Sequence, residues 1–199
     1  MILLALLPAV PGVVDARDRV VVAFGDSLTA GYGLTRGEAY PALLETRMAA
    51  AGFGYRVVNA GVSGDTTAGG LRRVDWALKL QPEVVIVALG ANDGLRGLDV
   101  AAVRVNLDRI VERFQAAGAK VLLAGMRLPP NYRGRYADDF ERVFRSVAQR
   151  RGVPLMPFLL DGVGGQARLN QADGIHPTAE GQRIMADGLW PYLVPLLAK

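Results

Sequence analysis

Five short apolar runs rich in β-branched residues, separated by stretches of helical period, constrain the fold of this chain more than any other feature. The runs are 19–24 (RVVVAF), 55–58 (YRVV), 83–88 (EVVIVA), 120–124 (KVLLA) and 153–156 (VPLM). Between them, 99–117 carries Val100, Val103, Leu107, Ile110 and Phe114 at steps of three and four, with Gly118 as the stop. Residues 40–51 open with Pro41 at a first helical position and end before Gly52. Phe140, Val143, Phe144 and Val147 make a further stripe in 136–150, and a last helix over 178–190 starts just after Pro177. A strand that is apolar on both faces must be covered on both faces. Such strands alternating with helices therefore predict a parallel sheet between two helical layers. The expected fold class is α/β: a three-layer α/β/α sandwich around a five-stranded parallel sheet, with order 2-1-3-4-5.

Residues 17–199 are expected to form one domain, because no linker, repeat or low-complexity segment divides them. A hydrophobic content of 51% with 21% charged residues is that of a folded globular chain. The net charge of +4 is spread along helical stretches, as at Arg104, Arg109 and Arg113, and no basic cluster is interleaved with aromatics. That pattern reads as solvated faces and against a nucleic-acid partner. The absence of cysteine excludes disulfides and thiolate metal sites.

Residues 1–16, MILLALLPAVPGVVDA, stand apart. They are apolar from Ile2 to Val14, with Val14 and Ala16 at the −3 and −1 spacing of a cleavage site, but no Lys or Arg precedes the apolar run. The segment is too short to span a bilayer of ~30 Å comfortably. It is a candidate signal peptide, the alternatives being a misplaced start codon or an ordinary apolar N-terminal segment. The expected location is periplasmic or secreted if it is cleaved, and cytoplasmic otherwise.

In open parallel sheets, ligands sit beyond the carboxyl ends of the strands, where strand order reverses. For order 2-1-3-4-5 that crevice lies between the first and third strands. The first run is followed by Gly25-Asp26-Ser27, the second by Asn59 to Asp65, the third by Gly90-Ala91-Asn92-Asp93-Gly94, the fourth by RLPPNY and the fifth, later, by DGIHP. Polar residues thus gather at one end of the sheet.

His176 is the sole histidine, and Asp173 precedes it by three residues with Gly174 between. That spacing can bring the carboxylate to Nδ1, fix the tautomer and leave Nε2 free to accept a proton. Ser27, at a strand-to-helix turn, is the candidate nucleophile; alone it would read as a helix N-cap. Asn92 has an amide to donate to an oxyanion, and Gly64 can offer a backbone N–H; each also suits an ordinary turn. The G-x-S-x-G elbow is absent because Thr29 follows Leu28. Asp26, Asp93 and Asn59 read as loop anchors that accept backbone N–H groups. Trp76 and Trp190 read as packing residues.

GDSLTAGYG with Ser27, NAGVSGDT with Gly64, GANDGLRG with Asn92 and DGIHP with Asp173 and His176 resemble the four sequence blocks of the SGNH (GDSL) hydrolases. The resemblance runs from about residue 20 to the end. It is closest to the bacterial lysophospholipase/thioesterase I and arylesterase branch, which RLPPNY at 127–132 and PALLE at 41–45 also resemble. It implies a flavodoxin-like fold and hydrolysis of esters or thioesters without metal or cofactor. It further implies Ser27 as nucleophile, His176 as base and then acid, and Asp173 as its orienter. The oxyanion hole would comprise the Ser27 and Gly64 N–H groups and the Asn92 amide.

The expected substrate is a small-molecule acyl ester or thioester, with activity rising with pH as the imidazole becomes neutral. Leu95 and Leu98 of GLRGL are expected to form an apolar wall for the acyl chain, with Leu128, Pro129, Pro130 and Tyr132 opposite. Acyl-CoA thioesterase or lysophospholipase activity on the same residues is the nearest alternative. Acyl transfer to a hydroxyl acceptor and a non-catalytic binding module are the others. No stable membrane span is expected, and the chain is expected to be a monomer or small homo-oligomer.

Overall fold

A computed structural model describes residues 19–129, 131, 132 and 134–199. The candidate signal peptide and Pro130 lie outside the described residues. Strands β1 (Arg19–Gly25), β2 (Tyr55–Gly61), β3 (Val84–Ala88), β4 (Lys120–Ala124) and β5 (Leu155–Met156) form a sheet in the order β2-β1-β3-β4-β5. Every pairing is parallel. The helices are α1 (Ser27–Ala30), α2 (Tyr40–Ala50), α3 (Thr67–Leu78), α4 (Ala91–Leu95), α5 (Val100–Ala116), α6 (Arg135–Arg151) and α7 (Ala179–Leu193). α5 packs between α3 and α6, while α2 packs against α7. These two helical layers cover the sheet, as its apolar strands require. Among the described residues no helix is long and apolar enough to cross a membrane.

The central strands have no exposed side: Val21 to Phe24 on β1 and Val84 to Val87 on β3 are fully buried. Phe24 meets Phe114 of α5 edge-on, at 5.3 Å between ring centroids. β1 and β2 run one and three residues past their apolar cores, ending in register at Gly25 and Gly61. β5 is shorter than its apolar run suggests. Pro154 and Pro157 flank it, and neither has an N–H to donate to the ladder.

The helical periodicity recognised in the sequence omitted α3, whose first turns contain Gly69 and Gly70. Both glycines are there for close approach. A Cβ at Gly69 would lie 1.7 Å from the Asp65 carboxylate, and one at Gly70 would lie 2.3 Å from Leu89. Trp190 packs edge-on against Phe53 under the Arg47 guanidinium. Trp76, expected to pack, is instead half exposed on α3, whose inner face is made by Val74 and Ala77.

Candidate active site

β1 delivers its chain to the carboxyl rim at Gly25, and α1 begins two residues later. Asp26 caps α1 by accepting the Leu28 N–H at 3.0 Å. As the first residue of the helix, Ser27 has a backbone N–H with no intrahelical acceptor, at the positive end of the turn's dipoles. This single turn cannot hold itself, and three side chains fix it. Asn59 at the end of β2 donates to the Thr29 carbonyl at 2.8 Å. Gln182 of α7 donates to the Leu28 carbonyl at 3.0 Å and accepts the Tyr40 N–H at 2.8 Å. The Thr29 and Tyr40 hydroxyls are 2.8 Å apart. Burial pushes the Tyr40 hydroxyl's pKa well up, so it remains a neutral hydrogen-bonding group.

The histidine comes from the loop before α7. Asn170 and Pro177 form an antiparallel bridge, the Gln171 N–H donates to the His176 carbonyl at 2.7 Å, and the Thr178 N–H donates to the Leu169 carbonyl at 2.8 Å. Between these ties Gly174 turns the chain at φ 74°, a conformation that disfavours a side chain. The turn folds Asp173 back on His176. One carboxylate oxygen accepts the Ile175 and His176 N–H groups, each at 3.0 Å, and the other lies 2.7 Å from Nδ1. The hydrogen bond to the His176 ring, then those from the two backbone N–H groups, lower the Asp173 carboxyl to about 2. Because this carboxylate stays ionised, Nδ1 carries the proton and Nε2 is left as acceptor. Nε2 lies 2.9 Å from Ser27 Oγ. Ser27 precedes Asp173 by 146 positions and His176 by 149, yet the three residues form one hydrogen-bonded row. The Tyr32 ring lies over the imidazole at 4.5 Å.

Asn92, in the first turn of α4 after β3, donates one amide N–H to the Asp65 carbonyl at 2.9 Å. Its second amide N–H is not used in that bond. Ser27, Gly64, Asn92 and His176 all line one cavity of about 600 Å³, a size suited to a small organic ligand. Its wall includes Leu95, Leu128 and Pro129, as well as Met126, Phe158 and Leu160. Leu98 and Tyr132, expected in that wall, do not line it. Leu98 lies beyond the Gly97 turn and is exposed, while Tyr132 acts from behind, its hydroxyl donating to the Leu95 carbonyl at 2.9 Å. The residues missed in the sequence lie mainly in PFLLDGVGG, which directly follows β5. The carboxyl-end rule that singled out the other loops applies equally to this one.

Asp26 and Asp93 are anchors. Asp93 is buried and accepts the Thr67 N–H at 2.8 Å and its hydroxyl at 2.6 Å, tying α4 to the start of α3. Burial, only partly offset by the Leu28 N–H, raises the Asp26 carboxyl to about 7. Between its unfolded value and about 7 the folded protein therefore holds a proton that the unfolded chain has released. Stability falls as pH rises across that window and is level above it. Asp26→Asn keeps an oxygen to cap Leu28 but cannot ionise. Thermal melts should show the variant gaining on the parent protein between about pH 4 and pH 7, by a margin on the order of a few kcal/mol. A difference in stability that does not change with pH would contradict this account of Asp26.

The profile of the GDSL-like Lipase/Acylhydrolase family matches residues 23–184. The chain is 46% identical over 184 residues to Esterase TesA of Pseudomonas aeruginosa, covering 92% of each protein. It is 40% identical over 183 residues to Thioesterase 1/protease 1/lysophospholipase L1 of Escherichia coli K12, covering 92% of this chain and 86% of that one. The crystal structure of TesA superposes with a TM-score of 0.88, covering 90% of this chain and all of the other. The chain belongs to the GDSL-like lipase/acylhydrolase family, and with it to the carboxylic ester hydrolases.

Proposed function

We propose that the protein hydrolyses aryl and acyl carboxylic esters through an acyl-enzyme on Ser27. The observation that carries this reading is the row from Asp173 through His176 to Ser27, at 2.7 and 2.9 Å. His176 Nε2 takes the Ser27 hydroxyl proton as Oγ attacks the acyl carbon. Asp173 holds the ring and stabilises the imidazolium. The oxyanion is received by the Ser27 and Gly64 N–H groups and the free amide N–H of Asn92. His176 returns its proton to the leaving alcohol. It then deprotonates a water that attacks the acyl-enzyme, and the acid leaves with Ser27 restored.

The cavity supports this choice of substrate class. Leu95, Leu128, Met126 and Phe158 offer apolar surface to a chain longer than acetyl, and each buried methylene contributes about 0.8 kcal/mol. The same residues serve a thioester or a lysophospholipid, a second reading favoured by the name of the Escherichia coli relative. A panel of p-nitrophenyl esters, acyl-CoA thioesters and lysophospholipids of graded chain length tests both. kcat/KM should rise from acetyl to medium-chain esters by about 10-fold or more, and Ser27→Ala should abolish turnover of every active substrate. Turnover that survives Ser27→Ala would remove the acyl-enzyme.

A further inference from the structure

The Arg73 side chain, on α3, joins three segments that meet at the site. Its Nη2 donates to the Gly25 carbonyl at 2.7 Å, at the end of the strand that leads to Ser27. Nη1 donates to the Ala60 carbonyl at 2.8 Å, near the end of β2. Nε donates to Asp65 Oδ2 at 2.7 Å, in the residue after Gly64. The guanidinium lies 3.9 Å above the Phe24 ring, and both members of the ion pair are largely buried. Asp65 in turn presents the carbonyl that accepts the Asn92 amide. The guanidinium is thus one bond from the strand end before Ser27, one bond from the loop of Gly64, and two from Asn92. Only a planar fork of donors serves three acceptors in these directions; an ammonium group has no such geometry.

We propose that Arg73 is the positioning residue of the oxyanion hole, setting the spacing of its three donors from beneath without touching substrate. This rests on the reading of Ser27, Gly64 and Asn92 given above. The sequence around it supports the assignment. Gly69 leaves the room that the Asp65 carboxylate occupies, and any side chain there would push that carboxylate off its seat. Donors misplaced by a fraction of an ångström still allow substrate to bind, but they no longer match the transition state.

The test is kinetic, on a medium-chain p-nitrophenyl ester, with active sites counted by phosphonate titration so that misfolded protein does not enter. Arg73→Gln should lower kcat about 10- to 100-fold with KM within about threefold, the loss typical of misplaced catalytic groups. Affinity for an alkylboronic acid, which forms a tetrahedral adduct on serine, should fall in proportion to kcat. Arg73→Lys, which keeps the charge, should recover only part of the loss. In an Asn92→Ala background Arg73→Gln should cost markedly less than in the parent protein, because both act through one hole.

If Arg73→Gln does not fold, Gly69→Ala asks the same question with the arginine in place, and the same kcat loss is expected. Parent-level kcat per titrated site in whichever of these folds, or full additivity with Asn92→Ala, overturns the proposal. Ser27→Ala is run alongside. If it is inactive while Arg73→Gln is unimpaired, only the role of Arg73 fails; if it retains activity, the reading of the site itself fails.

Discussion

Replacing His176 by alanine is expected to lower kcat/KM for a p-nitrophenyl ester by about 10⁴-fold or more, equivalent to roughly 5.5 kcal/mol of transition-state stabilisation. A serine hydroxyl is a weak nucleophile until a base takes its proton, and His176 Nε2 at 2.9 Å is the group placed to do so. It is also the only imidazole in the chain, so no second histidine can substitute for it. The fold should tolerate the change. The loop is held by backbone bonds from Gln171 and Thr178 and by the bridge of Asn170 to Pro177, none of which passes through the ring. The melting temperature is therefore expected to move little, and free imidazole should restore part of the activity by entering the space the ring leaves. Asp173, held ionised down to about 2, adds no inflection in the neutral range to the pH profile of the parent protein. A variant that keeps activity within tenfold of the parent would overturn the role assigned to this ring.

The sheet was legible in the sequence because its central strands are buried on both faces. A run such as VVVAF or VVIVA has no other economical place in a protein of this size, and the helices between the runs carry their own apolar stripes. What misled was local. α3 opens with two glycines that lower its helical signal, yet they are needed because Asp65 and Leu89 occupy the space their side chains would take. β5 is cut short by prolines that a count of apolar residues ignores. The meeting of Ser27 with Asp173 and His176 could be inferred because each lies in a loop at a strand's carboxyl end or in a glycine-bearing turn beside a carboxylate. The apolar wall of the cavity was less legible. Leu95 and Leu98 look equivalent in GLRGL, but only Leu95 lines the cavity, because the chain turns at Gly97. Phe158 and Leu160 resemble any other apolar residues until the loop after β5 is placed against the site. Arg73 carried no signal at all: an arginine inside a helix reads as a solvated side chain until the carbonyls of Gly25 and Ala60 are seen to converge on it.

Asn92→Ala is the second large effect expected. Removing one side-chain donor from an oxyanion hole typically costs about 10²- to 10³-fold in kcat, or roughly 3–4 kcal/mol, because the bond is strongest when the charge has developed. Asn92 is suited to this because its amide has two N–H groups. One is spent on the Asp65 carbonyl at 2.9 Å, which fixes the side chain's orientation before substrate arrives; the other is the donor the proposed mechanism assigns to the oxyanion. The donor is thus preorganised and needs no rearrangement during the reaction. KM should change little, since the ground-state carbonyl gains much less from the same donor. Asn92→Asp gives a sharper comparison. It is nearly isosteric, but it replaces the donor with an acceptor facing both the Asp65 carbonyl and the developing negative charge, so its kcat should fall below that of the alanine variant. A purely structural role through the Asp65 carbonyl would also penalise aspartate, but it would appear as a lowered melting temperature and not as lost kcat per titrated site. Steady-state kinetics of the two variants on one ester, normalised to titrated active sites, therefore decide the matter: aspartate at or above alanine in kcat would remove Asn92 from the oxyanion hole.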